Sequence, residues 1–514
     1  MNLRAAFLST VMSVALLGSA QAAPATTDEA QRLTTLFQRY LGKPTDGQPS
    51  AVVVTPDGET YKVDVDLSRI FAPFAALGLA EVKAGHYLSI LTPAADGTWH
   101  VVSGGLQSFT VTINDQTTIV NYGDSHFDGI FDPKIASFVS STSSSNGSAV
   151  SSNTPKVSSS SKSTGTTDSK FTGTDGGNGT VNAKVDQTLR DFTYALSVQT
   201  HADVGAPKSE KAFEVNAQIA SGTGHIEANN LRNAQLLDLW AFLVAHPSKQ
   251  QLVANQTELK GLLSAMLPFV TVLSGDVSIQ KIILNTPLGQ FGANTFGERL
   301  DVGNENSKDV LGIGLNADGF TIPADLAPAW ATGLVPSGLD LHVKVGPVHF
   351  TEALQKAIVS ADFGAEKPLT EAQTNDIVQT FALPQNIVVT LAPSTITTPV
   401  MTVKAEAQMQ FTEQMPTGTA TVSATGLDKA LDMLTTGAQT NPDAAQAFAV
   451  LTLMKQLGRA EGPDRYSWLV EAKPGSDILI NGKPMQAAAP QAEPQPVPKP
   501  SQKPKKKPAP KTAP

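Results

Sequence analysis

Residues 231–272 have the sequence LRNAQLLDLWAFLVAHPSKQQLVANQTELKGLLSAMLPFVTV, and the pattern of this stretch decides the fold class. Apolar residues recur at near-helical spacing on both sides of His246-Pro247-Ser248. They are Leu231, Leu236, Leu237, Trp240, Leu243 and Val244 before it, and Leu252, Leu259, Leu262, Leu263, Met266 and Leu267 after it. The residue before a proline avoids helix, whereas Ser and Pro favour a helix start. The stretch therefore predicts two amphipathic helices joined by a short turn.

Both flanks of this helical hairpin are rich in strand patterns, such as the strict alternation of Leu339, Leu341, Val343 and Val345. A pair of amphipathic helices must bury its apolar stripe, and a sheet on either side can cover it. A further helix is predicted from Pro442 to Leu457, with Asn441 as its N-cap and Gly458 at its end. The sequence thus predicts an α+β fold, in which a long antiparallel, curved β-sheet packs against a central helical hairpin and further helices.

Two occupants of the concave face of this sheet fit the pattern. The helices of residues 231–272 and 442–457 can fill it, because apolar helix faces usually pack into a core. Alternatively, a lipid or another apolar ligand lies between the sheet and the helices. The residues expected to line such a site are Trp240, Leu243, Met266 and Phe269.

Composition divides the chain into five regions. They are a signal peptide (1–22), an N-terminal helix with a β meander (23–136), a Ser/Thr/Gly-rich segment (137–180), a β-rich region with the helices of 231–272 and 442–457 (181–485), and a disordered Pro/Lys tail (486–514). The third region predicts either polar β-hairpins or a flexible linker. At Arg190-Asp191 the alternation of apolar residues slips by one position, which predicts a bulged strand.

The first 22 residues have the anatomy of a secretory signal peptide. Arg4 precedes an apolar run from Ala5 to Leu17, and Ala20-Gln21-Ala22 supplies small residues before a cleavage site near Ala22. The run is short for a membrane span, which needs about 20 apolar residues. We therefore expect an exported, periplasmic protein. The chain has no Cys, so disulfides cannot stabilise it there.

Charge separates the tail from the rest of the chain. The tail carries six lysines and one glutamate and the signal peptide carries Arg4, so the overall charge of −9 leaves −15 on the residues between them. Nucleic-acid binding needs a basic face, and we expect none. The tail is either a solvated spacer or a contact with an anionic cell-wall or membrane surface, through Lys503, Lys505, Lys506 and Lys507.

Local catalytic and cofactor motifs are missing from the sequence. It contains no thiol, no G-x-S-x-G elbow, no phosphate-binding glycine loop and no H-E-x-x-H. Residues 124–129 (DSHFDG) begin like a calcium loop, but His126 and Ile135 occupy ligand positions that need oxygen donors. The simpler interpretation of that segment is a turn at Asp128-Gly129. We expect no catalytic residues, no cofactor and no metal site.

Three further fragments resemble a known class of proteins. They are residues 285–292 (NTPLGQFG), 416–422 (PTGTATV) and 480–485 (INGKPM). With the signal peptide and the central helices, they resemble uncharacterised Gram-negative envelope proteins classified as domains of unknown function. The resemblance implies a large exported α+β protein and supplies no catalytic residues.

Together these features predict a non-catalytic periplasmic envelope protein that binds a lipid or another apolar ligand. The alternative is a structural or assembly scaffold that contacts the cell wall or an anionic membrane through its tail. A hydrolase built on Ser, His and carboxylates stays possible in principle, because such triads form in space and need no local motif.

Overall fold

A computed structural model describes residues 24–44, 49–76, 80–105, 108–200, 213–305, 308–381, 387–411, 416–473 and 478–484. The predicted signal peptide and the Pro/Lys tail with its four named lysines lie outside the described residues. The described part is a mostly antiparallel open sheet with helices, which confirms the predicted α+β class.

The helices are α1 (Thr27–Leu41), α2 (Leu67–Ala76), α3 (Asn233–Ala245), α4 (Lys249–Ala254), α5 (Gln256–Ala265), α6 (Phe350–Ser360), α7 (Glu371–Phe381), α8 (Leu427–Ala438) and α9 (Pro442–Leu457). The strands of the N-terminal part are β1 (Val52–Asp57), β2 (Thr60–Asp66), β3 (Glu81–Ala84), β4 (His86–Pro93), β5 (Trp99–Gly104), β6 (Ser108–Ile113), β7 (Gln116–Tyr122) and β8 (Ser125–Asp132). The long strands that follow are β9 (Ser137–Asn153), β10 (Val157–Gly177), β11 (Thr180–Thr200), β12 (Phe213–Leu231), β13 (Val272–Thr286), β14 (Gly289–Glu305), β15 (Lys308–Asp318), β16 (Gly338–Val348), β17 (Ile387–Thr397), β18 (Thr402–Phe411) and β19 (Thr417–Thr425). The last strands are β20 (Arg459–Gly462), β21 (Arg465–Ala472), β22 (Leu479–Ile480) and β23 (Lys483–Pro484).

Strand β9 is where the sheet forks. Its first half pairs with β8 and continues through β5, β4 and β2 to β1, whereas its second half pairs with β7 and continues through β6 to β3. Only Gly85 separates β3 from β4, so the two branches rejoin through the chain itself. We call β3 to β9 the N-terminal ring.

On the other side of β9 the sheet is a simple meander. Each strand from β9 to β19 pairs antiparallel with the next, and β19 then pairs with β21. The Ser/Thr/Gly-rich segment forms β9 and β10, whose backbone groups are paired on both edges. Asp191 has a left-handed φ of 50°, and the register shifts opposite it between Thr164 and Thr166, which confirms the predicted bulge.

Residues 231–272 contain three helices where two were predicted. Helix α3 ends just before His246-Pro247-Ser248, and the Ser248 side chain caps α4 by accepting a hydrogen bond from the Gln251 N–H. Asn255 interrupts the next helical segment and separates α4 from α5. The predicted cap at Asn441 is confirmed, because its side chain accepts hydrogen bonds from the first turn of α9, and Thr26 caps α1 in the same way.

Two helix layers cover opposite ends of one sheet face. Helices α1 and α3 pack on the branch from β1 to β8, in a cluster that includes Leu33, Phe37, Leu91, Trp99 and Phe131. At the other end, Phe448, Leu451 and Met454 of α9 pack against the inner face of β18, β19 and β21, around Val403, Val422, Trp468 and Val470. The middle strands lie between these two layers.

Candidate functional site

A cavity of about 630 Å³ lies inside the N-terminal ring. Helix α2 contributes Leu67 and Phe71 to its wall, and the ring strands contribute most of the rest. Its aromatic lining residues are Phe71, Tyr87, Phe109, Tyr122, Phe127 and Phe192, and its hydroxyl residues include Ser103, Ser143, Ser145, Ser148, Ser163 and Ser169. The volume falls within the range typical of small-molecule sites.

Two pairs of hydroxyl groups in the cavity wall lie within hydrogen-bond distance of each other. The Tyr87 hydroxyl lies 2.6 Å from Ser103 Oγ, and Ser148 Oγ lies 3.0 Å from Ser163 Oγ. Burial raises the pKa of Tyr87, which keeps its hydroxyl neutral. Among the described residues that line this cavity, none is Asp, Glu, Lys or Arg, and His126 is the one titratable imidazole. This wall suits an apolar or hydroxyl-bearing group and disfavours an ionic one.

The inner face of the cavity continues without interruption onto the long sheet. Residues that pair directly across neighbouring strands point to the same face of a sheet. One such row starts in the cavity and leads outward through Ser125, Ser145, Thr167, Leu189, Gly222, Ile279 and Phe296. The cavity wall and the face formed by β11 to β14 are therefore parts of one sheet face.

A second row on this face crosses almost the whole sheet without a charged side chain. It consists of Pro56, Tyr61, Leu91, Val101, Gly129, Ser141, Phe171, Val185, Ile226, Gly275, Leu300, Ile313, Val343, Leu391, Ala407, Ala420 and Val470. The neighbouring row, one residue along each strand, faces the other way. From β11 to β21 it consists of Lys184, Glu227, Ser274, Asp301, Gly312, Lys344, Thr390, Gln408, Thr419 and Glu471. From β11 to β21 the sheet thus has an apolar inner face and a polar outer face.

The middle of the inner face is open. Large side chains there keep much of their surface in contact with solvent: 50% for Val277, 38% for Phe296, 40% for Leu300 and 44% for Ile313. We call the inner-face residues of β13 to β15 the open strip. Exposed apolar side chains that adjoin one another on a face mark binding surfaces more often than scattered ones do.

The four residues that were expected to line an apolar site lie in different surroundings. The Trp240 indole donates a hydrogen bond of 2.8 Å to the Tyr40 carbonyl and packs against the cluster around α1. Met266 packs with Leu239, Phe242 and Leu259 among the central helices. Leu243 and Phe269 are exposed. The structure does not bring these four side chains together, and the cavity wall is built from other residues.

Sequence reasoning did not identify the cavity residues, although a signal for the open strip was present. The cavity aromatics come from six separated elements, so no local motif joins them. The strict alternation from Leu339 to Val345, in contrast, showed one apolar face of β16. It could not show that β13 to β15 present the same kind of face without a helix above it.

Histidines on the outer face pair with acids of the same or adjacent strands. His86 Nδ1 lies 2.6 Å from Asp64, His100 Nε2 lies 3.1 Å from Asp128, and His225 Nδ1 lies 2.8 Å from Asp186. The hydrogen bond with Asp64 raises the pKa of His86. The expected turn at Asp128-Gly129 is wrong, because both residues lie inside β8, where cross-strand pairing fixes the backbone. Within the described ranges, no three His, Asp or Glu side chains are grouped closely enough to hold a metal ion.

At the far end of the sheet an ion pair joins α8 to α9. Lys455 Nζ lies 2.7 Å from Asp428, and the Tyr466 hydroxyl donates to the same carboxylate at 3.0 Å. The hydrogen bond from Lys455, with a further contribution from Tyr466, lowers the pKa of Asp428. This arrangement holds α8, α9 and β21 together.

Among the helices that the structure describes, none has the length and hydropathy needed to cross a membrane. No family model, curated protein or solved structure matches this chain.

Proposed function

We propose that this protein is an exported, non-catalytic envelope protein that binds the apolar chain of a lipid on the open strip. The observation that carries the proposal is the uncharged inner-face row, whose large side chains are half-exposed in the middle of the sheet and covered by helices at both ends. A soluble protein gains little from leaving such a face bare, because burial of apolar surface is the main favourable term in folding.

The dimensions of the face support an acyl chain as the occupant. Strands β12 to β17, which lie between the two helix layers, span about 24 Å at about 4.8 Å per strand. A single acyl chain is about 15 Å long, since two of them fill a hydrocarbon core of about 30 Å. One chain therefore fits within these six strands, which include the open strip, and the cavity beyond β11 offers space for a second chain or for an uncharged part of the ligand.

We also propose that the sheet is curved and that it packs against the central helices. Left-handed residues lie where the register shifts in three consecutive strands, at Gly147 in β9, Gly165 in β10 and Asp191 in β11. Bulges of this kind bend and twist a sheet. A bend along this line would turn the inner face into a trough, with α3 to α5 near one end.

The test is to isolate the protein from its own compartment without detergent and to measure it by native mass spectrometry. We expect excess mass that disappears on denaturation, and a lipid in the organic extract. The delipidated protein should take up an apolar fluorescent dye. A Leu300→Ser, Ile313→Ser double variant should lose that uptake, whereas the outer-face control Gln408→Ser should keep it. Protein that neither carries lipid nor binds the dye would refute the proposal.

The alternative scaffold function depends on the lysine-rich tail, which is outside the described residues. Its support is the separation of charge, with +5 from residue 486 onward against −15 on the body. Deleting residues 486–514 should abolish sedimentation with cell wall or anionic vesicles while the far-UV circular dichroism spectrum stays unchanged. Equal sedimentation of both proteins would remove the tail from the account.

A further inference from the structure

Glu298 is a charged residue on the otherwise apolar open strip. It lies in β14, and its directly paired neighbours on the inner face are Val277 and Leu315. The residues two positions away on its own strand are Phe296 and Leu300.

Glu298 is exposed, and in the described part of the chain its carboxylate has neither an ion pair nor a hydrogen bond. The next residue, Arg299, faces outward and pairs instead with Asp301 at 2.7 Å.

Glu298 also belongs to a row of the inner face that reaches serines in the cavity wall. Cross-strand pairs connect it through Val277, Gly224 and Gln187 to Ser169 and Ser143 in the cavity. The Gln187 amide donates to Ser169 Oγ at 3.0 Å. The rows on either side of this one, through Phe296 and through Leu300, have no polar side chain between β11 and β16. Between β11 and β16, the polar side chains of these three rows, Gln187 and Glu298, therefore lie in the same row, and the carboxylate lies near the centre of β12 to β17.

A ligand that covers the neighbours of Glu298 must also remove water from its carboxylate. Burial of an ionised group is costly unless the incoming partner supplies a donor or a positive charge. A hydrocarbon alone, or an amphiphile with an anionic head at this point, would leave the carboxylate unpaired. An ammonium group would instead form a charge-assisted hydrogen bond, which is among the strongest in proteins.

We infer that the open strip selects amphiphiles with a cationic amine head. Glu298 binds the amine, and the alkyl chain lies on the apolar side chains of the inner face. The inference rests on the proposed function and adds the class of ligand. Strand β17 lies three strands from β14, or about 14 Å away, so the row from Glu298 accommodates an alkyl chain of about acyl length. A second copy of this chain would meet the strip with another Glu298, and the two like charges would oppose that contact.

The experiment uses the delipidated full chain and three single-chain probes of equal length: hexadecylamine, hexadecanol and palmitate. Each probe competes with a bound apolar dye at neutral pH, below its critical aggregation concentration. The unaltered protein should bind the amine most tightly and palmitate least. Glu298→Gln should weaken amine binding about tenfold, the loss expected for a hydrogen bond to a charged group, and should leave hexadecanol unchanged. Glu406→Gln removes an exposed acid from the outer face of β18 and should change none of the three.

A charge reversal makes the outcome independent of any loss of stability. Glu298→Lys should invert the order, so that palmitate binds more tightly than the amine. Equal effects of Glu298→Gln on all three probes, or no effect on any, would overturn the inference while hexadecanol binding still supports the proposed function. Failure of every probe to bind the unaltered protein, with a dimer in sedimentation equilibrium, would overturn both and identify a second copy as the occupant.

Discussion

One end of the apolar row and its middle have different surroundings. In the N-terminal ring and the strands beside it, the row passes beneath α1 and α3, where Leu91 and Phe131 are fully buried. In β14 and β15 the same row continues through Leu300 and Ile313, which remain about two-fifths exposed. In both regions the row on the inner face has no charged side chain. The strand sequences therefore determine which side chains lie on this face, and the helices determine whether the face is a core or a surface.

Because of this difference in burial, we expect side chains of the N-terminal ring to serve folding stability and side chains of the open strip to serve binding. Buried side chains in the ring contribute to folding, because removing them leaves a cavity among neighbours that cannot fully relax. Half-exposed side chains on the open strip contribute less to folding and are available to a ligand. Substitutions in the N-terminal ring should therefore lower the free energy of unfolding, whereas substitutions on the open strip should mainly lower ligand binding. Comparing the sizes of these effects tests whether stability and binding belong to different regions.

The largest effect is expected from Phe131→Ala in the N-terminal ring. Phe131 is fully buried, and its phenyl group packs edge-on against that of Phe138 with the centroids 5.6 Å apart. The substitution should reduce the free energy of unfolding by about 3–5 kcal/mol, the usual cost of truncating a core phenylalanine. Urea denaturation followed by far-UV circular dichroism measures it. A loss below about 1 kcal/mol would mean that the ring is not the stabilising core of the molecule.

The boundary between the two regions should respond next, at Gly165 in β10. Its φ is +103°, and a Cβ built there would lie 2.7 Å from the Arg190 carbonyl oxygen and 2.8 Å from the Asp191 carbonyl oxygen. Gly165→Ala should therefore cost about 2 kcal/mol, from the unfavourable backbone conformation and the contact with β11. The same denaturation experiment measures it. Gly177→Ala is the matched control, because a Cβ there meets nothing within 4 Å although φ is also positive. If both substitutions lowered the free energy of unfolding equally, the cost at Gly165 would come from backbone conformation alone.

Local signals in the sequence predicted a good part of this architecture. The α+β class, the helix cap at Asn441 and the bulge at Asp191 all follow from neighbouring residues, whose chemistry acts over a few positions. The break at Asn255 was missed because the apolar spacing continues across it. The cavity was missed because Phe71, Phe127 and Phe192 meet only after β9 has paired with three different strands. Long-range pairing of this kind leaves no periodic trace in the chain.

A smaller change in stability is expected on the open strip, from Phe296→Ala. This is the same truncation as at Phe131, made at a residue that is 38% exposed and paired with Ile279 and Ala317. The free energy of unfolding should fall by only about 1 kcal/mol, because less surface is buried and solvent can fill the space. Uptake of an apolar dye should fall as well, which Phe131→Ala should not cause at temperatures where that variant is folded. A cost as large as that of Phe131→Ala would show that the strip is covered in solution.

The smallest effect concerns pH and the outer face of the N-terminal region. The hydrogen bond with Asp64 raises the pKa of His86 above its usual value of about 6.5, so the folded state binds this proton more tightly than the unfolded state does. The stabilisation is therefore complete below about pH 6.5 and is lost as pH rises through the raised folded-state pKa. His86→Gln should cost at most about 0.5 kcal/mol at about pH 5.5, since the pair is exposed, and should cost nothing near pH 9.

Urea denaturation at several pH values measures this difference in the free energy of unfolding. In an Asp64→Asn background the same substitution should show no pH dependence, because the partner that raises the pKa is gone. A cost that grows with increasing pH would contradict the assignment, since the charged pair can stabilise the fold only while His86 is protonated.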